Sequence, residues 1–424
     1  MNQLNSFSTT RLERVVQQFF LLALFSVSFS TALTNVFVGL SYIGFVIAIG
    51  TNRALRGHLR AAPGLFALAL LAMYILGTQW SIGPVSDQLV ALKKYSRLLL
   101  MPIGIALSWR DPTLPRRALY YFLGGAGVLA LSNYLTRFEL MPTSSLGWWR
   151  VGDAKDSFVF RNHITIGILL AFASMASFLL ASYAATTRKR VLAAAAGLAF
   201  MIPVVFLNQG RTGYVALLIG LVTLFLLRVR ITPLRTVAGI AGIVLLFAGF
   251  YAGSDNMRSR SKDLVYEVTT NQQHSPNGVR KSFMEVGLRT VREHPLIGIG
   301  TGSFSEAYAP TAAAVWGAGT PMALARHQPH SEFLITTVQL GLAGLLLYLG
   351  LIGSIGRAAL GKRSFERDLL ALLWMIYVST SIFNSLLWDT TEAHWFLLLS
   401  SCLYVAAWRQ RAPSPVAVPA GVRA

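Results

Sequence analysis

The sequence predicts an all-α polytopic membrane protein of about twelve transmembrane helices, with a large exterior loop between the ninth and the tenth. Three observations carry this expectation. Of 424 residues, 54% are hydrophobic and only 13% charged, and the mean hydropathy is +0.55; soluble domains carry about 25% charged residues. Apolar stretches close to the roughly 20 residues that cross a bilayer recur along the chain. One long polar interval, 254–330, interrupts them.

The expected spans lie near 15–32, 34–50, 62–80, 89–108, 117–136, 163–184, 191–207, 213–227, 236–252, 331–352, 368–387 and 393–408. Arg11 and Arg14 precede the first apolar run, which reads as an uncleaved helix because no small-residue cleavage site follows it. More than half of the 37 Lys and Arg residues fall in the connections on one side: 1–14, 51–60, 109–117, 186–190, 228–235, 353–367 and 409–424. Basic residues in short loops mark the cytoplasmic side, so both termini are expected there and the 254–330 loop on the opposite, exterior face. The net charge of +20 is then mostly a topology signal, and a nucleic-acid surface is excluded as its explanation. The single cysteine, Cys402, excludes an intrachain disulfide and a cysteine-based metal cluster. The expected organisation is helices one to nine in 1–253, the loop with an amphipathic helix in 254–330, helices ten to twelve in 331–411, and a Pro/Ala/Val-rich disordered tail in 412–424.

Lys93, Lys94 and Arg97 fall near the outer start of the fourth span. Lys93 and Arg97 are four apart and share a face if the helix is continuous. They either snorkel to headgroups or attract an anionic lipid headgroup. The connection 137–162 carries Trp148, Trp149 and Arg150, an interface belt or a surface for sugars, and then Asp153, Lys155 and Asp156. Arg161 and His163, at the start of span six, are candidates for headgroup or substrate contact.

Asn208-Gln-Gly-Arg-Thr-Gly213 joins spans seven and eight. Arg211 stands where a helix begins, and free N–H groups and the helix dipole favour an anion there. Its planar fork matches a phosphate.

In the large loop, Asn271-Gln-Gln-His-Ser-Pro276 reads as flexible and Arg280 to His294 as a helix. Phe283, Met284, Gly287, Leu288 and Val291 recur on one face, and Pro295 ends it. A short helix of this kind is expected along the membrane surface. Gly298-Ile-Gly-Thr-Gly302 lacks a preceding strand and a Gly-Lys-Ser/Thr ending, so it reads as a tight turn and not a nucleotide loop. His327 and His330 have metal-compatible spacing, but no HExxH or Asp-x-Asp pattern accompanies them. Acid–base chemistry by His330 is the better use, since a helix N-terminus disfavours imidazolium and keeps a neutral base. Capping of that helix is the alternative. Glu332 either orients the imidazole or complements the helix N-terminus. Asp389 and Glu392, between the last two spans, are possible partners for a site arginine.

Three motifs together resemble one family. They are Asn208-Gln-Gly-Arg211-Thr-Gly; Arg280 with Pro295-Leu-Ile-Gly-Ile-Gly-Thr-Gly-Ser-Phe304; and His330-Ser-Glu-Phe-Leu334 followed by Gln339-Leu-Gly-Leu-Ala-Gly344. In order and common side they are similar to the O-antigen ligase family of bacterial envelopes, whose superfamily includes O-antigen polymerases and protein O-oligosaccharyltransferases. Ser331 and Gln209 depart from the asparagine and serine frequent there. The resemblance implies a GT-C-type glycosyltransferase of the bacterial inner membrane, with its active site facing the periplasm. The donor would be O-antigen polysaccharide on undecaprenyl diphosphate and the acceptor a sugar hydroxyl of lipid A–core, without metal or cofactor and with inversion. Arg211 and Arg280 then bind the diphosphate and His330 serves as base. Lys93, Lys94, Arg97, Arg161, His163, Glu332 and Asp389 are the further substrate-binding candidates, and membrane lipids the remaining partners. A lipid-linked glycan transporter is the alternative from another class. It fits less well because the key charges sit at span ends, where transporters bury theirs and repeat their topology.

Overall fold

A break in one long helix, mended by a distant segment, organises the outer end of the bundle. The computed structural model describes residues 9–141, 152–153, 156–270, 274–320 and 328–410, all helices and connections with no strand among them. Trp148, Trp149, Arg150, Lys155, His327, residues 271–273 and the tail at 412–424 lie outside the described residues.

In chain order the helices are α1 (Arg11–Ser26), α2 (Thr31–Thr51), α3 (Arg53–His58), α4 (Ala62–Leu76), α5 (Val85–Tyr95), α6 (Leu100–Arg110), α7 (Leu114–Arg137), α8 (His163–Tyr183) and α9 (Thr187–Ile202). They continue as α10 (Arg211–Arg228), α11 (Pro233–Gly253), α12 (Asp255–Thr269), α13 (Pro276–Glu293), α14 (Phe304–Trp316), α15 (Glu332–Ala359), α16 (Phe365–Ser381) and α17 (Thr390–Arg409). Among the described residues, eight helices are long and apolar enough to cross a membrane: α2, α4 with the turn that follows it, α7, α8, α9 with its π-helical end, α10, α11 and α15. Of the other expected spans, the first and eleventh fall on the shorter helices α1 and α16, of 16 and 17 residues, and the twelfth on α17, of 20 residues. The fourth is split, because a 3-10 turn at Ser96–Leu99 separates α5 from α6.

Central α8 is buried along most of its length, whereas α11 buries only Phe250 and α12 buries nothing. Helices α8 and α10 meet at Gly167 and Gly213, where an added Cβ on either would lie 2.8 Å from the other's Cα. Only glycine lets two backbones come that near, and the contact sets the start of α10 beside the start of α8.

The helix break lies at Gly341 (φ 61, ψ −159) inside α15. Residues 295–300 run across it. The N–H groups of Ile299 and Gly300 donate to the carbonyls of Val338 and Gln339 at 3.0 and 2.9 Å, and Leu342 and Ala343 donate to Pro295 and Leu296 at 2.8 and 3.1 Å. Groups freed by the break are thus satisfied by another segment, as burial requires. The expected glycine turn is this staple. Gly298, Gly300 and Gly302 all have positive φ, and a Cβ on Gly300 would sit 2.2 Å from the Cα of Ser81. A small second core of Val279, Phe283, Val286, Phe304, Tyr308 and Val338 fixes α13 and α14 over α15.

The helix expected over Arg280–His294 begins earlier, at Pro276, and its buried face differs from the expected one. Phe283 and Val286 are buried, whereas Met284 and Leu288 are exposed. The face against α15 is set by Gly287, which fits onto Leu334. The stretch 255–269, read only as polar, is the regular helix α12, capped by Ser254 Oγ on the Met257 N–H at 3.1 Å.

Candidate functional site

The starts of α8 and α10 and the faces of α12 and α13 enclose a cavity of about 80 Å³ lined by His163, Gln209, Arg211, Thr212, Arg260 and Arg280, with Ile164. Arg211 is the first residue of α10, after the Gly210 N-cap. A Cβ on Gly210 would lie 2.4 Å from the His163 carbonyl oxygen, so glycine is needed to bring Arg211 to His163. The loop before it is pinned. Asn208 Oδ1 accepts from the Gly210 N–H at 2.9 Å, Tyr214 donates to the Asn208 carbonyl at 3.2 Å, and Asp156 accepts from the Gln209 N–H at 3.3 Å.

Arg211 and Arg280, far apart in sequence, therefore meet at one cavity. Glu267 of α12 grips the Arg211 fork, accepting from Nη1 at 3.2 Å and from Nη2 at 2.7 Å. That hydrogen bond and the Arg211 charge hold the Glu267 carboxyl below the usual carboxylate range. Arg260 pairs with Asp263 one turn away, at 3.4 Å. Arg280 has no ion pair among the described residues. Burial, then the nearness of Arg211, lower its pKa from the usual arginine value, while Glu267 opposes the shift. Two guanidinium groups held together in a half-buried site favour an anion between them.

His330 does not line this cavity. Its ring lies 5.9 Å from that of Phe283, which stands three residues beyond Arg280 on α13. Its backbone is left-handed (φ 54), uncommon for a non-glycine residue. That turn lets Ser331 cap α15, its hydroxyl accepting from the Leu334 N–H at 3.4 Å. Strain of this kind concentrates at functional sites.

The remaining candidates scatter. Glu332 is fully buried and turned away from solvent: its carboxylate accepts from the N–H groups of Leu387 (2.8 Å) and Trp388 (3.3 Å), clamping the connection between α16 and α17. Arg161 donates to the Val27 carbonyl at 2.8 Å and to the Thr31 hydroxyl, tying α8 to the turn between α1 and α2. His163 is in the cavity. Lys93 is exposed, whereas Arg97 is buried and donates to Thr390 Oγ1 at 2.8 Å and to the Trp388 carbonyl at 3.5 Å. The shared face expected for Lys93 and Arg97 is lost because the 3-10 turn rotates one against the other. Lys94 stands over the Trp388 ring, 4.2 Å from its centre. Asp389 accepts from Gln328 Nε2 at 3.2 Å. Lys94 and Trp388 line a second cavity of about 120 Å³, together with Asp87, Val90, Gly302 and Ser305. Among the described residues no three His, Cys, Asp or Glu side chains gather as metal donors would.

Sequence reasoning missed Arg260 and Glu267. They stand seven residues apart on α12, two helical turns, so a helical reading of 255–269 puts both on one face.

Residues 196–349 match the family model described as O-antigen ligase. The matched segment runs from α9 into α15 and includes Arg211, Arg280, the glycine staple and His330, in agreement with the resemblance drawn from the three motifs. No curated protein matches the chain.

Proposed function

We propose that this protein is an O-antigen ligase: a GT-C-type glycosyltransferase of the bacterial inner membrane, moving O-antigen polysaccharide from undecaprenyl diphosphate to a sugar hydroxyl of lipid A–core. In this reading all twelve apolar stretches belong to the membrane domain, both termini are cytoplasmic and the cavity faces the periplasm. The observation that carries the proposal is the convergence of Arg211, Arg260 and Arg280 on one small cavity, with His330 one helical turn of α13 away across Phe283.

The chemistry follows from the leaving group. As the bond between the anomeric carbon and the phosphate oxygen breaks, negative charge grows on the lipid diphosphate. Arg211 and Arg280 donate charge-assisted hydrogen bonds to it, and such preorganised donors are worth most where water is excluded. The acceptor oxygen attacks the anomeric carbon from the opposite face, which inverts it. His330 takes the proton of the attacking hydroxyl, a role typically worth about 10²–10⁴-fold in rate. His330 stands in a left-handed turn with its ring 5.9 Å from that of Phe283, on the helix that carries Arg280.

The decisive experiment supplies purified protein with undecaprenyl-diphosphate-linked O-antigen, lipid A–core and a chelator, and resolves the products on a gel. A ladder of core-linked glycan that survives chelation and disappears in His330→Ala is the expected result. Glycan that lengthens on its carrier lipid while the core stays bare makes the protein a polymerase. Transfer only to a periplasmic protein makes it a protein O-oligosaccharyltransferase. Movement of the lipid-linked glycan across the membrane with no transfer makes it a transporter.

A further inference from the structure

The two cavities have opposite chemical character. The first is lined by three arginines and a histidine, with no carboxylate among the described residues that line it. The second, between α5, α14 and the start of α17, brings a carboxylate (Asp87), an ammonium group (Lys94), a hydroxyl (Ser305) and an indole (Trp388) to one wall. Asp87 accepts from the Ser305 hydroxyl, and Lys94 sits on the Trp388 ring. Asp389 follows at once and holds the Gln328 amide. Charge of one sign suits a diphosphate. Mixed single donors and acceptors beside an aromatic ring suit a neutral sugar, whose hydroxyls each give and take hydrogen bonds.

His330 links the two regions along the chain. Two residues before it, Gln328 donates to Asp389, the sequence neighbour of Trp388, which lines the second cavity; the His330 ring meets Phe283, on the helix that carries Arg280 into the first. A transferase has two substrates to keep apart until one hydroxyl meets one anomeric carbon, and a base serves best between them. The rigidity of the second cavity has a visible cause. Glu332, two residues after His330, clamps the backbone of Leu387 and Trp388, and Gly302 at its edge belongs to the glycine staple. Its walls are therefore fixed by the same elements that fix His330.

We propose that the Asp87–Lys94–Ser305–Trp388 pocket is the acceptor subsite: it holds a neutral sugar ring of the acceptor glycan and presents one hydroxyl toward His330. This rests on the transferase reading above. It also separates the basic trio of the α5–α6 region by role. Lys94 contacts the sugar, Arg97 braces the backbone of the pocket, and Lys93 faces outward.

The test is two-substrate kinetics on the full-length protein, with Asp87→Asn, Lys94→Gln and Trp388→Phe, and Arg211→Lys for comparison. Losing a hydrogen bond to a charged group corresponds to about tenfold or more in affinity. The acceptor KM should rise by about that factor in Asp87→Asn and Lys94→Gln, with the donor KM unchanged, while Arg211→Lys raises the donor KM and lowers kcat with the acceptor KM unchanged. A donor KM that rises with Lys94→Gln, or a kcat that falls with both KM values intact, overturns the assignment. Binding of deacylated core oligosaccharide, with no donor present, separates this inference from the function it rests on. Binding to the wild type that is lost in Lys94→Gln supports the pocket even in a protein that shows no transfer. Transfer by a wild type whose oligosaccharide affinity the three substitutions leave untouched refutes the pocket and leaves the transferase standing. The near-isosteric Asp87→Asn and Trp388→Phe decide the matter if Lys94→Gln fails to fold.

Discussion

Arg211 and Glu267, 56 residues apart, form a two-point ion pair in which Nη1 meets Oε2 at 3.2 Å and Nη2 meets Oε1 at 2.7 Å. The carboxylate occupies the end of the guanidinium fork that a phosphate would use. Helix α12, which carries it, buries no side chain of its own, so little else holds Glu267 there. In Glu267→Gln the competing anion is gone. Ion pairs at a surface are worth about 0.2–1 kcal/mol and this one is partly buried, so the donor KM should fall by at least a few fold with kcat unchanged. Steady-state kinetics checks this; a fall in kcat instead means that Glu267 positions Arg211.

The same pair sets a pH expectation. Its hydrogen bond to Arg211 depresses the Glu267 pKa in the folded protein. A depressed carboxyl contributes stability above its unfolded pKa and loses it as pH falls through the folded value. The difference in melting temperature between wild type and Glu267→Gln should therefore be constant from about pH 6 to about pH 8 and shrink as the pH falls below the ordinary glutamate pKa. Thermal melts across that range measure it, and a difference that fades near neutrality contradicts the assigned shift.

Arg280 lacks an ion pair among the described residues, so its substitution leaves no buried carboxylate unmatched. Arg280→Ala should cut transfer by about 10²–10³-fold while the melting temperature holds or rises, since burial beside Arg211 is unfavourable for its charge. Activity and thermal melts on the same preparation separate this from misfolding. Arg280→Lys keeps the charge without the fork and should recover only part of the rate.

His330 allows a sharper separation of stability from activity. A left-handed residue other than glycine is strained by about 1–2 kcal/mol, and glycine removes that strain at the expense of more freedom in the unfolded chain. His330→Gly should leave stability within about 1 kcal/mol of wild type and reduce transfer by about 10²–10⁴-fold. A large loss of stability would mean that the imidazole is a structural brace.

The glycine staple should behave in the opposite way. Gly300→Ala sets a Cβ against the backbone of Ser81 and requires φ +92 of an L-residue. The left-handed backbone alone costs about 1–2 kcal/mol, and the overlap adds to it. Lower expression and a lower melting temperature are expected, with any residual folded fraction retaining its donor KM.

By itself the sequence determined the all-helical membrane character, the positions of most long helices and the glycine turn, and it singled out Arg211, Arg280 and His330 as candidates. These are legible because hydrophobic length, basic-residue asymmetry and turn glycines are local properties, each read from neighbouring residues. The tertiary structure alone decided what meets what. A 3-10 turn set Lys93 and Arg97 on different sides, although their spacing suggested one face. Glu332 turned to the backbone of Leu387 and Trp388, more than fifty residues on, where the sequence suggested either the His330 imidazole or its own helix N-terminus. Glu267 reached Arg211, and residues 295–300 mended the helix broken at Gly341. Such pairings depend on helix crossings set by contacts like Gly167 on Gly213, and a crossing is a property of two surfaces packed together, which no single stretch of chain encodes.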